Sequence, residues 1–285
     1  MSEPTITDVS DTALWVAVYR ARETLRPDAL FKDPLAARLA GEKGQQIEAS
    51  MSGSKYTAWS VVIRTCIIDS YILDLVSRGE VDTIINLGAG LDTRPYRLNL
   101  PSNLRWVEVD FPQIIDLKEK GLMDEKPKCG LERVKLDLSN ESLRQEFFER
   151  IGRETKKALI LTEGVAPYLS EEQVASLGRA LRQQESFVYW IVDYFNVELR
   201  RYLNTPARQK QMKNAPFVFF PEDWFGFFKK LGWKEHQAKY LMEEAKILNR
   251  GFPLGWFGRM VLKIFPGRAK KFSRRMGYIL LAPDN

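Results

Sequence analysis

The feature that most constrains this 285-residue sequence is a series of five short apolar runs, each followed by a stretch of helical character. The runs are 81–87 (VDTIINL), 104–110 (LRWVEVD), 133–136 (RVKL), 158–162 (ALILT) and 186–192 (SFVYWIV). They are rich in β-branched residues and mostly continuous, which is how strands covered on both faces read. Strands alternating with helices predict an α/β fold with a mostly parallel sheet and helices on both faces. Two further runs, 233–238 and 277–282, follow without an intervening strand–helix repeat, so they predict an antiparallel pair at one edge. Sheets of this kind bind ligands beyond the carboxyl ends of their strands, where the strand order reverses. The residues at those ends are therefore the candidates for function.

Helices are predicted around the same frame. Residues 11–25 and 33–40 read as short helices, the second with Asp33 as N-cap and Pro34 at its first position. Residues 55–77 form a long apolar helix closed near Arg78 and Gly79. Phe111-Pro112 opens another helix, Ser139 caps one running to about Ile151, and Ser170-x-x-Gln173 is a capping box for one ending near Arg182. No repeat or long linker divides the chain. A single domain over 1–285 is expected, with N-terminal helices (1–80), a ligand-binding core (81–195), and a substrate-side lid region with the last strands (196–285).

After the first run stand Gly88, Ala89 and Gly90. Glycine allows a tight turn and close approach to a ligand, and the following helix start favours anionic groups. The second run ends in Asp110, about twenty residues on, where a carboxylate accepts ribose hydroxyls or else stabilises the next helix. The third ends in Asp137-Leu138, suited to an adenine amino group and a ring nitrogen, and the fourth in Glu163, suited to an ammonium group. A dinucleotide site would want a third glycine, but Thr93 stands there beside Asp92, whose charge opposes a diphosphate. This set favours S-adenosyl-L-methionine over NAD.

The string NLGAGLDTR at 86–94, with Glu108-Val109-Asp110-Phe111-Pro112 and Thr162-Glu163-Gly164 through Tyr168-Leu169, resembles the leucine carboxyl methyltransferase family. It looks closest to the bacterial branch that includes polyketide-synthesis O-methyltransferases. Arg22 with Arg26-Pro27-Asp28, Asp33-Pro34-Leu35 and Arg275-Met276-Gly277-Tyr278 extend the likeness over nearly the whole chain. The resemblance implies a Rossmann-like class I methyltransferase fold, with a seven-stranded, mostly parallel sheet and an antiparallel edge strand. Position by position, it implies that Arg64 binds the methionyl carboxylate and that Gly88 belongs to the cofactor turn. Asp110 would bind ribose, Asp137 and Leu138 adenine, and Glu163 the methionyl part. Gly90 completes the turn.

The implied reaction is O-methylation of a small molecule. A carboxylate is ionised at neutral pH and needs no base, whereas a phenol or alcohol benefits from one. The only histidine is His236, outside the strand ends, so a carboxylate or acidic hydroxyl is favoured. That same scarcity argues against a His-based metal site or a Ser-His-Asp triad. Trp15, Tyr19 and Arg22 are spaced to share one helix face. They form either an aromatic wall of the acceptor pocket, with Arg22 pairing a carboxylate, or a packing surface. Tyr168 is a candidate at the methyl-transfer site, or else a loop aromatic covering the sheet edge.

The net charge of +6 is uneven: residues 246–275 hold nine Lys or Arg and no Asp or Glu. Within it, residues 252–272, with Trp256, Phe257 and Phe265, are expected to be a lid rather than a membrane-surface helix, because Pro253, Gly255, Gly258, Pro266 and Gly267 interrupt them. A polar N-terminus and the lack of any run of roughly 20 apolar residues predict a cytoplasmic protein without stable membrane insertion. Cys66 and Cys129 match no metal spacing and read as a reduced pair. No nucleic-acid partner is expected. The competing readings are an NAD(P)-dependent oxidoreductase and a non-catalytic cofactor- or RNA-binding protein.

Overall fold

A computed structural model describes residues 9–51, 54–203, 205, 212–253 and 271–284. Seven strands form one sheet: β1 Thr83–Leu87, β2 Arg105–Asp110, β3 Gly130–Lys135, β4 Ala158–Thr162, β5 Phe187–Phe195, β6 Trp233–Tyr240 and β7 Met276–Pro283. Their order is β3-β2-β1-β4-β5-β7-β6. Strands β1 to β5 pair in parallel, while β7 runs antiparallel to both β5 and β6. The antiparallel pairing expected near the end of the chain is therefore present, with β7 set inside and β6 at the rim. From β3 the chain returns across β1 to form β4, so the strand order reverses between β1 and β4.

Helices cover both faces because successive strand residues point to opposite sides. Ile85, Val107, Ile160 and Trp190 meet Phe148, Leu177 and Leu181 from α6 (Glu141–Glu154) and α7 (Glu171–Arg182). Ile84, Trp106, Leu159 and Ile191 meet α3 (Ser54–Ser77) on the other side. Along α3 the buried residues Ile63, Ile67, Ile68, Tyr71, Ile72 and Leu75 recur at helical spacing, and the Tyr71 hydroxyl donates to the Tyr278 carbonyl at 3.1 Å. The Ser170–Gln173 capping box forms as predicted.

Two caps differ from expectation. The helix predicted from Ser139 is capped by Asn140, whose side chain accepts from the Leu143 amide. Asp33 does not cap α2 (Ala36–Ser50), because its carboxylate takes the Arg20 guanidinium at 2.8 Å. That helix also passes its predicted end at residue 40. Gly41 leaves helical geometry at φ 57, and the helix then resumes to Ser50.

α1 (Val9–Thr24) packs against α2, with Leu14, Trp15, Val18 and Tyr19 buried beside Leu39, Ala40 and Ile47. α5 (Pro112–Gly121) carries Lys118, fully buried against the equally buried Glu108 of β2 at 2.7 Å, with Arg133 of β3 at 2.9 Å from the same carboxylate. No helix among the described residues is long and apolar enough to cross a membrane. Most of the expected lid, 254–270, lies outside the described residues.

Lys118→Met removes one of the two cations that compensate buried Glu108. It is expected to lower unfolding stability by about 3 kcal/mol in urea titration, since Arg133 still pairs with the acid. A loss under about 1 kcal/mol would show that Arg133 alone suffices.

Candidate active site at the strand-order reversal

A cleft of about 370 Å³ opens beyond the carboxyl ends of β1 to β4. Its floor is the turn after β1. Gly88 and Gly90 both have positive φ, +69 and +48, where side chains are strained. A Cβ on Gly88 would stand 2.5 Å from Cγ2 of Val165, in the loop after β4, so only glycine lets the two loops approach. Asp110 fastens this turn, accepting from the Gly90 amide at 2.6 Å through one oxygen and from the Phe111 amide at 2.7 Å through the other. Burial raises the Asp110 pKa above the ordinary range, against the opposing pull of those two amides and Lys118. Each carboxylate oxygen has a second lone pair for a ligand hydroxyl.

Further along the rim, Asp137 is exposed and accepts from the Ser139 amide at 2.8 Å. The Leu138 carbonyl is held by Arg144 at 2.9 Å. Both residues line the cleft, as do Arg64, Gly88, Gly90, Asp110, Glu163 and Tyr168. The tyrosine ring packs on Phe217 with centroids 5.0 Å apart.

An ion network forms the wall between α3 and the loop after β4. Arg94 opens the one-turn helix α4 (Arg94–Arg97) and is buried. It donates to Asp69 at 2.6 Å, to Asp92 at 2.7 Å and to Glu163 at 2.8 Å. Burial opposes the Glu163 charge, yet Arg94 and Arg64 hold its pKa below the usual range. Burial likewise opposes Asp92, and Arg94, Lys118 and Arg97 more than offset it. Arg64 Nε is buried and lies 2.9 Å from Glu163 in an ion pair without hydrogen-bond geometry, and the residue also lines the cleft.

Three expectations change. Tyr19 and Arg22 are not among the residues lining the cleft. Trp15 donates to the Tyr19 hydroxyl at 2.7 Å inside the α1–α2 interface, and Arg22 pairs with Glu48 of α2 at 2.7 Å. The opposite face of α1 lines the cleft through Thr12, Ala13, Val16 and Arg20. Arg20 is two residues from Arg22, about 200° around the helix, and donates to the Leu91 carbonyl at 2.6 Å. Asp92 does line the cleft, but Arg94 and Asn86 meet its charge, so it is not the bare negative group that would repel a diphosphate.

Asp193, two residues before the end of β5, adds an acid beside those at the strand ends that the sequence motifs do not point to. It accepts from the Gly164 amide at 3.0 Å and from the Tyr278 hydroxyl at 2.7 Å. Its place in a continuous apolar run ending in an acid was the available signal.

The sequence profile of the leucine carboxyl methyltransferase family matches residues 13–182. The chain belongs to the leucine carboxyl methyltransferase family. Among its relatives, a protein of Streptomyces coelicolor named an S-adenosyl-L-methionine-dependent methyltransferase is 32% identical over 187 residues, 61% of this chain and 65% of that protein. A protein of the same description from Frankia alni is 29% identical over 85% of this chain and 89% of its own length. A solved DUF574 family protein from Streptomyces avermitilis shares the fold at TM-score 0.58 and 12% identity, covering 94% of this chain and 96% of its own. A solved methyltransferase-named protein from Thermobifida fusca does so at 0.57 and 13%, covering 99% and 96%. This family member thus has the class I methyltransferase architecture.

The Asp193 carboxyl titrates at about 6, raised by burial against the opposing effects of Tyr278 and Arg64. Folded protein therefore keeps a proton that the unfolded chain releases near pH 4. Stability from this group falls as pH rises from roughly 4 to about 6, by about 3 kcal/mol in total. Asp193→Asn abolishes that fall, so urea midpoints at pH 4.5 and 6.5 should rise more steeply with pH than in the wild type. Equal slopes would mean that Asp193 stays ionised in the fold.

Proposed function

We propose that this chain is a cytoplasmic S-adenosyl-L-methionine-dependent O-methyltransferase acting on a small molecule, with a carboxylate or acidic hydroxyl as acceptor. One observation carries the reading: four successive strand ends bring Gly88–Gly90, Asp110, Asp137–Leu138 and Glu163 around a cleft that Arg64 of α3 also lines. The names carried by the Streptomyces and Frankia relatives support it.

The residues present suit the cofactor. The Gly88 turn leaves no room for a side chain against Val165, and Arg64 lines the cleft beside Glu163. Arg64 would take the methionyl carboxylate, as an always-charged planar donor. Glu163, kept ionised by its two arginines, would take the ammonium. Asp110 would accept the ribose hydroxyls with the lone pairs its amide bonds leave over, and Asp137 with Leu138 would flank the adenine. S-adenosylmethionine supplies, when bound, an electrophilic methyl group on a sulfonium sulfur. The protein's contribution is alignment and exclusion of water. The α1 face of Thr12, Ala13 and Val16 covers the glycine turn, and Tyr168 borders the same space. A carboxylate acceptor would need no proton removed, which fits a chain whose one histidine lies on β6, away from the cleft.

Calorimetry should show the wild type binding S-adenosylhomocysteine and not NAD. Arg64→Ala should weaken S-adenosylhomocysteine roughly 10- to 100-fold, the range for a bond to a charged group. No binding by the wild type would overturn the cofactor assignment. For the acceptor, a panel of carboxylic acids and phenols is incubated with methyl-labelled cofactor and the products are treated with base. Base-labile label released as methanol identifies a methyl ester, whereas label retained as an ether would overturn the carboxylate assignment.

A further inference from the structure

Among the described residues, Arg94 is the one side chain that touches three carboxylates from three separate segments around the cleft. Asp69 comes from α3, Asp92 from the turn after β1, and Glu163 from the loop after β4. Its side chain is 3% exposed, so these bonds form in a poorly solvated setting. Beyond Arg94 the charges continue to alternate. Arg97 donates to both oxygens of Asp69, at 2.6 Å to the one Arg94 leaves free and at 2.8 Å to the one they share, and Arg64 stands beside the far oxygen of Glu163. Reading across the wall, the order is Arg97, Asp69, Arg94, Glu163, Arg64, with Asp92 as a branch on Arg94. Three cations face three anions.

The division of labour on Glu163 is what matters for a ligand. Its Oε2 is engaged by Arg94 in a hydrogen bond, while its Oε1 has only the close but unbonded Nε of Arg64. Arg94 therefore supplies the firm partner that a buried carboxylate needs. Without it, Arg64 would be the remaining cation next to Glu163, and a direct bidentate pair of the two would consume the donors that face the cleft.

We propose that Arg94 is a positioning residue for the amino-acid end of the cofactor: by anchoring Glu163 to Asp92 and α3, it keeps Arg64 available to a ligand carboxylate and Glu163 available to the ammonium. This rests on the cofactor assignment made above. The role is selective, because Arg94 belongs to the Arg64–Glu163 wall and makes no hydrogen bond to Asp110, Asp137 or Leu138.

That selectivity sets the test. Two ligands are compared by calorimetry: S-adenosylhomocysteine, which carries the amino-acid group, and 5′-methylthioadenosine, which lacks it. Arg94→Gln should weaken S-adenosylhomocysteine about tenfold or more, as for loss of a charged hydrogen-bonded group, and change 5′-methylthioadenosine less than about twofold. Arg94→Lys keeps the charge but loses the planar fork, and should recover part of the loss for the first ligand only. If Arg94→Gln does not fold, as judged by circular dichroism, the ratio of the two ligands in Arg94→Lys decides. Equal losses for both ligands, in either variant, would reduce Arg94 to a structural pin and overturn the proposal. Wild-type protein that binds 5′-methylthioadenosine but gains nothing from the amino-acid group would also overturn it, while leaving a nucleoside site intact. A wild type that binds neither ligand would overturn the cofactor assignment and this inference together.

Discussion

The architecture of the cleft depends on the burial of a guanidinium among carboxylates. Moving an ion from water into a protein interior costs several kcal/mol even after relaxation. Arg94 meets that cost with three acids, and the acids meet theirs further with Arg64, Arg97, Asn86 and the Arg94 backbone amide. Deleting Arg94 would take a partner from three acids at once. The network thus joins α3, the β1 turn and the β4 loop more specifically than apolar packing could, since apolar contacts slide and ion pairs of fixed geometry do not.

The glycine turn works by the opposite principle, through missing atoms. Positive φ at Gly88 and Gly90 bends the chain off β1, and the absent Cβ of Gly88 admits Val165. Asp110 then holds the bend open with two amide bonds. A single carboxylate thereby shapes the loop while presenting its remaining lone pairs to the cleft. The two readings that the sequence left open for Asp110, a ribose-binding acid and an acid stabilising the start of the next helix, are compatible in one geometry, since its bond to the Phe111 amide leaves lone pairs over.

Much of this was legible before any coordinates. Continuous β-branched runs marked the parallel strands, and every acid expected at a strand end, Asp110, Asp137 and Glu163, lines the cleft together with Arg64. Choices decided by rotation or by a distant partner were not legible. Arg20 and Arg22 have the same chemistry two residues apart, and only the packing of α1 on α2 turns one inward to the cleft. Asp33-Pro34 has the pattern of a helix start, but Arg20, thirteen residues away, claims the carboxylate. Arg94 sits inside the most recognisable string of the chain, yet its role needs Asp69 and Glu163, which spacing along the sequence cannot bring together. The basic segment at 246–275 mostly lies outside the described residues.

The position of β7 has a consequence for how the molecule is assembled. Among the described residues β6 pairs with β7 alone, and β7 pairs with β5 across some ninety residues of sequence, Trp190 with Leu281. During synthesis β6 has to wait for β7 before it can join the sheet. The same strand carries Tyr278, whose hydroxyl meets Asp193, which in turn holds the Gly164 amide beside Glu163. One wall of the cleft is therefore locked only when residues near 280 arrive. Contacts so distant in sequence are slow to close, so a nascent chain would acquire its ligand site among its last native features. Competence to bind then doubles as a report that the whole sheet has formed.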